Sequence, residues 1–436
     1  MVWYLKRKLP HNLKIRKIFW VLKGFFAFLK NYWVLDWIEI IWITWTDWKT
    51  STTIFTAQLL QNLWVKTAAM SSELYFINWK FSDNKSKRTT ASPFEIFKFI
   101  KKAKKEWVEK IILEVSSHSL EQWRLFWINF DYSIVTNLSQ EHLDYHWTME
   151  NYAKTKAKII SKTKKSLIIK KNILEKDIFD EEIWKNKINK IEVLVWEWAI
   201  NKNIFIWNNL VFQDDWTLFD LNYWRKKYLN LKLNILWAYN VENIIFWIWV
   251  SHEILWDKLF ENFENNLKNS ISKIKKVPWR LDEIIFWQEF KLWISFWVTP
   301  QAIEETLKYA QNLKKDDWKV YLVFWATWWQ HDHWKRPILW EVSWNFADIS
   351  VLTDDETYWE DSMKIISEVE EWIKKTTWEY KVIQDRWDAI SFALWNAKKW
   401  DIVIITWLWS FESRNVGWKE EYWSDKDFCR EFLEKK

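Results

Sequence analysis

Lys49 and Thr50 are the first residues of this chain placed where chemistry could be done. A predicted strand, IEIIWIT at 38–44, runs into a short polar turn. The Lys-Thr pair follows, and a predicted helix, TSTTIFTAQLLQNL, begins at once. Strand, loop and helix opening on Lys-Thr is the layout of a phosphate-binding loop, G-x-x-x-x-G-K-[ST] or a close relative. In such a loop backbone N–H groups at the helix start cradle phosphate oxygens. The lysine reaches the terminal phosphate and the hydroxyl ligates Mg²⁺. Thr44, Trp45, Thr46, Asp47, Trp48, Lys49, Thr50 and Ser51 are therefore candidate residues for ATP or GTP, with Mg²⁺ on Thr50. Trp45 and Trp48, however, stand where glycine belongs, since a Cβ blocks the approach of backbone to phosphate.

The composition repeats the anomaly. The chain has 44 Trp and 2 Gly, whereas about 7% glycine, roughly 30 residues, is ordinary. Turns and helix ends need φ > 0, which glycine supplies and tryptophan resists. The tryptophans also sit where glycines sit: after a helix in QNLWVKTA, between helix and strand in KKDDWKVYLVFW, in a loop in FWATWWQHDHWK. We read most of them as glycines, written as Trp where UGA codons that the source cell decodes as glycine are translated with the standard table. The alternative is a truly Trp-rich protein, for which the loop would not work; the codons at 45 and 48 decide. Residue names below follow the printed sequence.

Two further constellations follow predicted strands. LEVSSHSLEQWR at 113–124 puts Glu114 at a strand end, where ligands of open α/β sheets gather, so that it can serve a metal. A lone Glu there is more often structural. TNLSQEHLDYHW at 136–147 crowds His142, Asp144 and His146 at a loop start, and histidine is a common metal ligand.

The elements that would position these residues alternate. EKIILEVSS and YSIVTNLS read as buried strands, with helices between or after them. The Lys-rich stretch 154–190 carries SLIIKK and little else distinctive. Residues 200–233 read as short antiparallel strands and 239–255 as a helix. A second alternating set, KLWISFW, KVYLVFW, DISVLTD, YKVIQD and DIVIITW, starts near Val277. The fold class is α/β with mostly parallel sheets: residues 1–36 a basic opening segment, 37–276 a central ATP-binding domain, 277–436 a Rossmann-like C-terminal domain.

Lys6, Arg7, Lys8, Lys14, Arg16, Lys17, Lys23 and Lys30 precede the first acid, Asp36. A basic amphipathic helix of this kind lies on an anionic membrane surface or packs on the next domain, and both readings stand. The net charge of +6 comes from 64 basic and 58 acidic residues. Charge is balanced after residue 36, which argues against nucleic acid as a partner. A single cysteine, Cys429, excludes a disulfide framework and suits a cytoplasmic protein. No uncharged apolar run of roughly 18 residues is present, so no spanning helix is expected, and no signal peptide is visible.

Taken with Trp as Gly, the series GTDGKTST, EVSSHSLEQWR and TNLSQEHLDYHWTMENYAKTK resembles the Mur ligase family in order and spacing, and within it the ligases that add the third residue of the peptidoglycan stem peptide. WAYNVENII, VPWRLD, KRPILWEVS and EYWSDKDFCREFL fit the same family. Trp423, in the last of these, matches a position where an aromatic is usual. The resemblance covers about nine-tenths of the chain.

The resemblance implies an ATP-dependent amide ligase acting in the cytoplasm on a nucleotide-sugar peptide and an amino acid, with ATP and Mg²⁺. ATP phosphorylates a carboxylate and an amine attacks the acyl phosphate. On its motifs Lys49 contacts the γ-phosphate, Thr50 holds Mg²⁺, and Glu114 and His142 serve the metals. Lys156, in YAKTK, matches the lysine whose carbamate helps hold a second Mg²⁺, while Lys154 and Lys158 read as solvated helix lysines. Asn240, Asn243 and Arg280 match nucleotide-side positions. Thr89, Thr90, Ser117 and Arg124 match positions that bind the nucleotide-sugar peptide.

Four departures bear on that reading. Residues 1–36 stand where the family has a nucleotide-gripping N-terminal domain, which leaves room for a lipid-linked acceptor. ISFWVTP puts Ser295 and Val298 where the family has an acid and a histidine. The signature selecting diaminopimelate reads DETY, Asp355 to Tyr358, so the incoming amino acid is open. WLWSFE carries Leu408 and Ser410, with Glu412 supplying the carboxylate one place along. The alternatives are a Mur-like ligase on a folate, polyglutamate or lipid-linked acceptor, and a nucleotide-binding relative that has lost catalysis.

Overall fold

The computed structural model describes residues 13–36, 38–44, 49–86, 88–193, 205–212, 216–223, 226–235, 244, 246–248, 251, 263–277, 282–295, 299–315, 317–325, 335–354, 361, 363–364, 366–367, 379–406, 413–416 and 419–435. They form two compact units, 1–140 with 146–277, and 141–145 with 278–436.

In the first unit the β-branched runs make strands β1 (Glu39–Thr44), β5 (Lys110–Val115) and β6 (Phe130–Val135). With β2 (Thr67–Met70), β3 (Leu74–Ile77), β4 (Lys80–Asp83), β7 (Thr163–Lys170) and β8 (Asn189–Val193) they form one sheet, ordered β4-β3-β2-β5-β1-β6-β7-β8. The pairings from β2 to β8 are parallel, and β3 and β4 add an antiparallel edge. A continuous apolar run signals a strand covered on both faces. β1 is accordingly buried from Ile40 to Thr44, with β5 beside it in the register Ile43↔Glu114 and Thr44↔Val115.

Helices α1 (Leu13–Asn31), α2 (Lys49–Asn62), α3 (Pro93–Lys105), α4 (Ser117–Glu121), α5 (Met149–Ala157) and α6 (Lys176–Asn186) belong to this unit. Strands β9 (Phe205–Phe212), β10 (Thr217–Tyr223) and β11 (Lys226–Leu233) make the antiparallel meander expected over 200–233, and helix α7 (Phe263–Ser272) follows. Of the helix expected over 239–255, residues 244, 246–248 and 251 are described and helical. Strands β2–β4, β7 and β8 were not expected as such; SLIIKK is the core of β7.

The second unit is another mostly parallel sheet, ordered β12-β13-β17-β14-β15-β16, built from β12 (Asp282–Glu283), β13 (Lys291–Ser295), β14 (Val320–Phe324), β15 (Ile349–Leu352), β16 (Tyr380–Val382) and β17 (Ile402–Thr406). Only β12 is antiparallel. Helices α8 (Pro300–Leu313), α9 (Lys335–Phe346), α10 (Arg386–Asn396) and α11 (Asp425–Lys435) accompany it. The protein is thus α/β with mostly parallel sheets.

The backbone bears on the tryptophan question directly. Trp64, Trp79, Trp107, Trp123, Trp147 and Trp400 take φ between 57° and 74°, the left-handed region that a Cβ disfavours. Three of them end helices in the same way. Trp64 N–H donates to Gln61 O and Val65 N–H to Leu60 O, at 3.1 and 3.0 Å. Trp107 and Val108 repeat the pair on Lys104 and Ala103, and Trp123 and Arg124 on Leu120 and Ser119. This double bond is the Schellman motif, whose left-handed residue is usually glycine. Asn78 and Trp79, φ 44° and 70°, form the two-residue turn between β3 and β4. Positive φ at both positions is the type I′ pattern that favours Asn-Gly.

In the buried core the signature differs. The indole N–H groups of Trp42, Trp247 and Trp340 are buried without a hydrogen-bond partner among the described residues. The Trp42 and Phe130 ring centroids are 3.8 Å apart, closer than the roughly 4.5–7 Å usual for aromatic pairs. Trp423 is the contrast. It is buried, its Nε1–H donates to Asp425 Oδ1 at 3.0 Å, and its ring stacks on Trp387.

Candidate functional site

The parallel strands of the first sheet bring their carboxyl ends together, and α2 begins just beyond β1. Lys49 is half-buried at the start of α2, and Thr50 and Ser51 are buried in its first turn. The Thr50 hydroxyl donates to Glu114 Oε2 at 3.0 Å and lies 2.7 Å from Ser72 Oγ. Ser72 follows β2, and its backbone N–H donates to the same carboxylate oxygen at 2.8 Å. Thr50, Ser72 and Glu114 are all buried. Two elements expected to carry phosphate and metal ligands, 64 residues apart in sequence, therefore meet through a hydroxyl and a carboxylate.

Ser72 is held by what surrounds it. Ser71 closes a tight turn, its hydroxyl donating to Leu74 O at 2.7 Å. Asn84 Nδ2 donates to Ser71 O and Ser72 O at 2.8 and 3.0 Å. Nothing periodic in the sequence marks Ser72. The signal that could have found it is the polar run SSE at the carboxyl end of a parallel strand. The buried hydroxyls of Thr44, at the end of β1, and Thr136, just past β6, have no partner among the described residues.

The residues matched to the acceptor lie along the next stretch. Ser116 N–H donates to Thr90 Oγ1 at 2.9 Å, tying the loop before α3 to the end of β5. Arg124 Nη1 donates to Thr90 O at 3.0 Å, and Arg124 Nε to Gln122 Oε1 at 2.9 Å. Thr89 is half-buried beside Thr90. Ser117, at the start of α4, is buried, with Oγ 3.0 Å from His146 Nε2, donor or acceptor according to the histidine tautomer. The His146 and Tyr152 rings are 5.1 Å apart. Lys156 on α5 is fully buried, its ammonium 4.6 Å from the centre of the Tyr152 ring. A wholly buried lysine is uncommon without an anionic or aromatic partner. Lys154 points outward to Glu150 at 2.5 Å, as expected of a surface lysine. Lys158 instead pairs with Glu121.

Glu121 collects Lys158 and, at 2.6 Å, Lys17 of α1, and accepts from the Thr155 hydroxyl. Burial pushes its carboxyl up, but the hydrogen bonds from Lys158 and Lys17 outweigh this and hold it below the ordinary value. α1 is thereby fixed to the helices that carry Ser117 and Lys156.

His142 belongs to the second unit, with φ 57° and its Nε2 3.6 Å from Glu141 Oε2. Among the described residues no group of three or more His, Cys, Asp or Glu is placed to hold a metal. The oxygen donors that Thr50 and Glu114 present suit a hard cation such as Mg²⁺, which takes one or two protein oxygens and fills the rest of its shell with phosphate and water. Ser295 is buried at the end of β13. Trp45, Thr46, Asp47, Trp48, Asn240, Asn243, Arg280, Val298, Asp355, Leu408, Ser410 and Glu412 lie outside the described residues.

Residues 43–250 match the family model of the Mur ligase middle domain. The UDP-N-acetylmuramoyl-L-alanyl-D-glutamate–2,6-diaminopimelate ligase of Fusobacterium nucleatum is 30% identical over 402 residues, 90% of this chain and 77% of that relative. Ligase 1 of the same name from Clostridium acetobutylicum is 30% identical over 400 residues, 91% and 78%. A solved structure of a ligase of that name superposes with a TM-score of 0.63 at 21% identity, covering 97% of this chain and 83% of the other. A folylpolyglutamate synthase of Mycobacterium tuberculosis gives 0.70 at 13% identity, over 88% and 91%, which speaks for a shared fold. With Lys49 and Thr50 at the start of α2, Glu114 at the end of β5 and the buried Lys156 in one unit, and with this identity over most of its length, the chain belongs to the Mur ligase family.

Proposed function

We propose that the protein is an ATP-dependent amide ligase of peptidoglycan synthesis, adding an amino acid to the terminal carboxylate of a UDP-N-acetylmuramyl-dipeptide. The observation that carries the reading is the buried Thr50–Glu114–Ser72 cluster at the mouth of the sheet, joined to relatives named for this reaction. In this reading residues 37–276 bind ATP and the acceptor, 277–436 form the C-terminal domain, and Arg280 is a nucleotide-side residue by its match to the family motif. Residues 1–36 add a peripheral contact with a membrane surface.

The chemistry joins two anions, a carboxylate and a triphosphate. Lys49 offsets their repulsion at the γ-phosphate, and backbone N–H groups of the 44–51 loop hold the remaining oxygens. Mg²⁺ would sit on Thr50 and Glu114, with His142 and the Lys156 carbamate at a second ion, and supplies charge neutralisation for the transferred phosphoryl group. The acceptor carboxylate attacks the γ-phosphorus and ADP leaves. The amine then attacks the acyl carbon, phosphate leaves, and the amide forms with loss of a proton. Thr89, Thr90, Ser117 and Arg124 orient the acceptor, with Asp355 and Glu412 at the incoming amino acid and Asn240 and Asn243 at the nucleotide.

The test is phosphate release from protein with glycine at 45 and 48, given ATP, the muramyl-dipeptide nucleotide and a panel of amino acids. Diaminopimelate heads the panel and lysine follows, because DETY departs from the diaminopimelate signature. Turnover with the muramyl acceptor is expected. Turnover only with a folate-type acceptor, or ATP binding without turnover on any acceptor, overturns the reading.

A further inference from the structure

We propose that the outer face of α1 docks the protein on an anionic lipid surface, the helix lying in the headgroup plane. The inference rests on the membrane contact assigned above to residues 1–36 and is independent of the ligase chemistry.

α1 has two apolar faces, and among the described residues only one is packed against the unit. On the inner face Ala27 is buried, and the Phe28 ring lies 6.5 Å from that of Phe97 on α3. A Cβ on Gly24 would lie 3.8 Å from the Arg124 carbonyl oxygen, so the helix lies close against its unit. Lys17 to Glu121 fixes its rotation. The other face carries Ile15, Ile18, Phe19, Leu22, Phe26 and Leu29, all exposed, with Ile18 and Phe26 at 60% and 61%. Their spacing of 3, 1, 3, 4 and 3 is that of one helical stripe. No tryptophan is needed to make it.

Charge selects the occupant. Eight basic residues and no acid occur before Asp36. Lys30 is exposed at the end of α1, and Lys104 Nζ of α3 donates to the backbone carbonyl of residue 33 at 3.3 Å, just past that end. A second copy of the chain would bring like charge against like along the stripe, whereas anionic headgroups complement it. No helix among the described residues is long and apolar enough to cross a membrane. A helix of 19 residues, about 28 Å long, with an apolar stripe and basic flanks is the form that lies in an interface.

The test floats the full chain on phosphatidylcholine vesicles with and without phosphatidylglycerol. Binding to the anionic vesicles, reversed by salt, is expected. The pair Leu22→Glu and Phe26→Glu, both at exposed positions, should lower it by roughly tenfold or more. Lys30→Glu, which leaves the stripe intact, should weaken it at an unchanged unfolding midpoint. Thr50→Ala should bind vesicles as the parent does. No binding, equal binding to both vesicle types, or a parent dimer in solution that the Leu22/Phe26 pair makes monomeric would overturn the proposal, the last assigning the stripe to a second copy. Turnover on a soluble acceptor, measured alongside, separates failure of docking from failure of the ligase assignment.

Discussion

Glycine at Trp64, Trp107 and Trp147 should stabilise the first unit. Each has a positive φ and a side chain at least 71% exposed, so its replacement gives up little packing. Holding an L-residue in the left-handed region costs roughly 1–2 kcal/mol. Glycine's greater loss of backbone freedom takes back roughly 0.5–1 kcal/mol. The net is about 0.5–1 kcal/mol per site, or about 2 kcal/mol for three sites that act independently. Urea unfolding of the triple glycine form against the printed sequence reads this as a higher midpoint at unchanged slope. A triple alanine form is the control: alanine removes the indole but keeps the Cβ, and should recover less than half of the gain. A glycine form no more stable than the printed one, or an alanine form equal to it, would refute the reasoning, because bulk and not backbone would then be at issue.

Lys49→Ala, in protein with glycine at 45 and 48, should lower turnover roughly 10²–10³-fold while the fold survives, since it removes charge aimed at the transferred phosphoryl group; intact turnover would show the loop assignment to be wrong. Glu114→Ala should cost about 1–3 kcal/mol in unfolding free energy, because the Ser72 N–H and Thr50 hydroxyl lose their buried acceptor, and should raise the Mg²⁺ concentration needed for turnover. Glu121 sits below its ordinary value of 4.5, burial pushing it up and the Lys158 and Lys17 hydrogen bonds pulling it further down. Its contribution to stability is therefore full above that value and lost as pH falls below it. Glu121→Gln should flatten the acid limb of a midpoint-against-pH curve between pH 4.5 and the start of acid unfolding, and an unchanged limb would count against the pairing.

The central strands were legible because their composition leaves little choice: β1, β5, β14 and β17 are rich in Ile, Val, Leu and Phe, and β6 ends on Ile-Val. The edge was not. β2 reads TAAM, and β4, KFSD, is exposed throughout, so neither a long apolar run nor a clean alternation marks them. SLIIKK has a three-residue apolar core, Leu167 to Ile169, too short to separate strand from helix. In the site, Thr50 and Glu114 were readable because each sits at a fixed place after a strand. Ser72 and the Ser117–His146 bond were not, since a turn and a tertiary approach create them. The glycine-like tryptophans were legible in type and place, because helix ends and two-residue turns demand φ > 0 whatever letter is printed there.

The contrast among the indoles reaches beyond chain conformation. The Trp423 N–H is satisfied by a carboxylate that also receives the buried Arg386 guanidinium at 2.9 and 2.6 Å. In a chain whose other tryptophans are largely glycine, intrinsic ultraviolet emission comes chiefly from this ring. Such a protein would be nearly dark in its nucleotide-binding half, and its fluorescence would follow the integrity of the C-terminal unit.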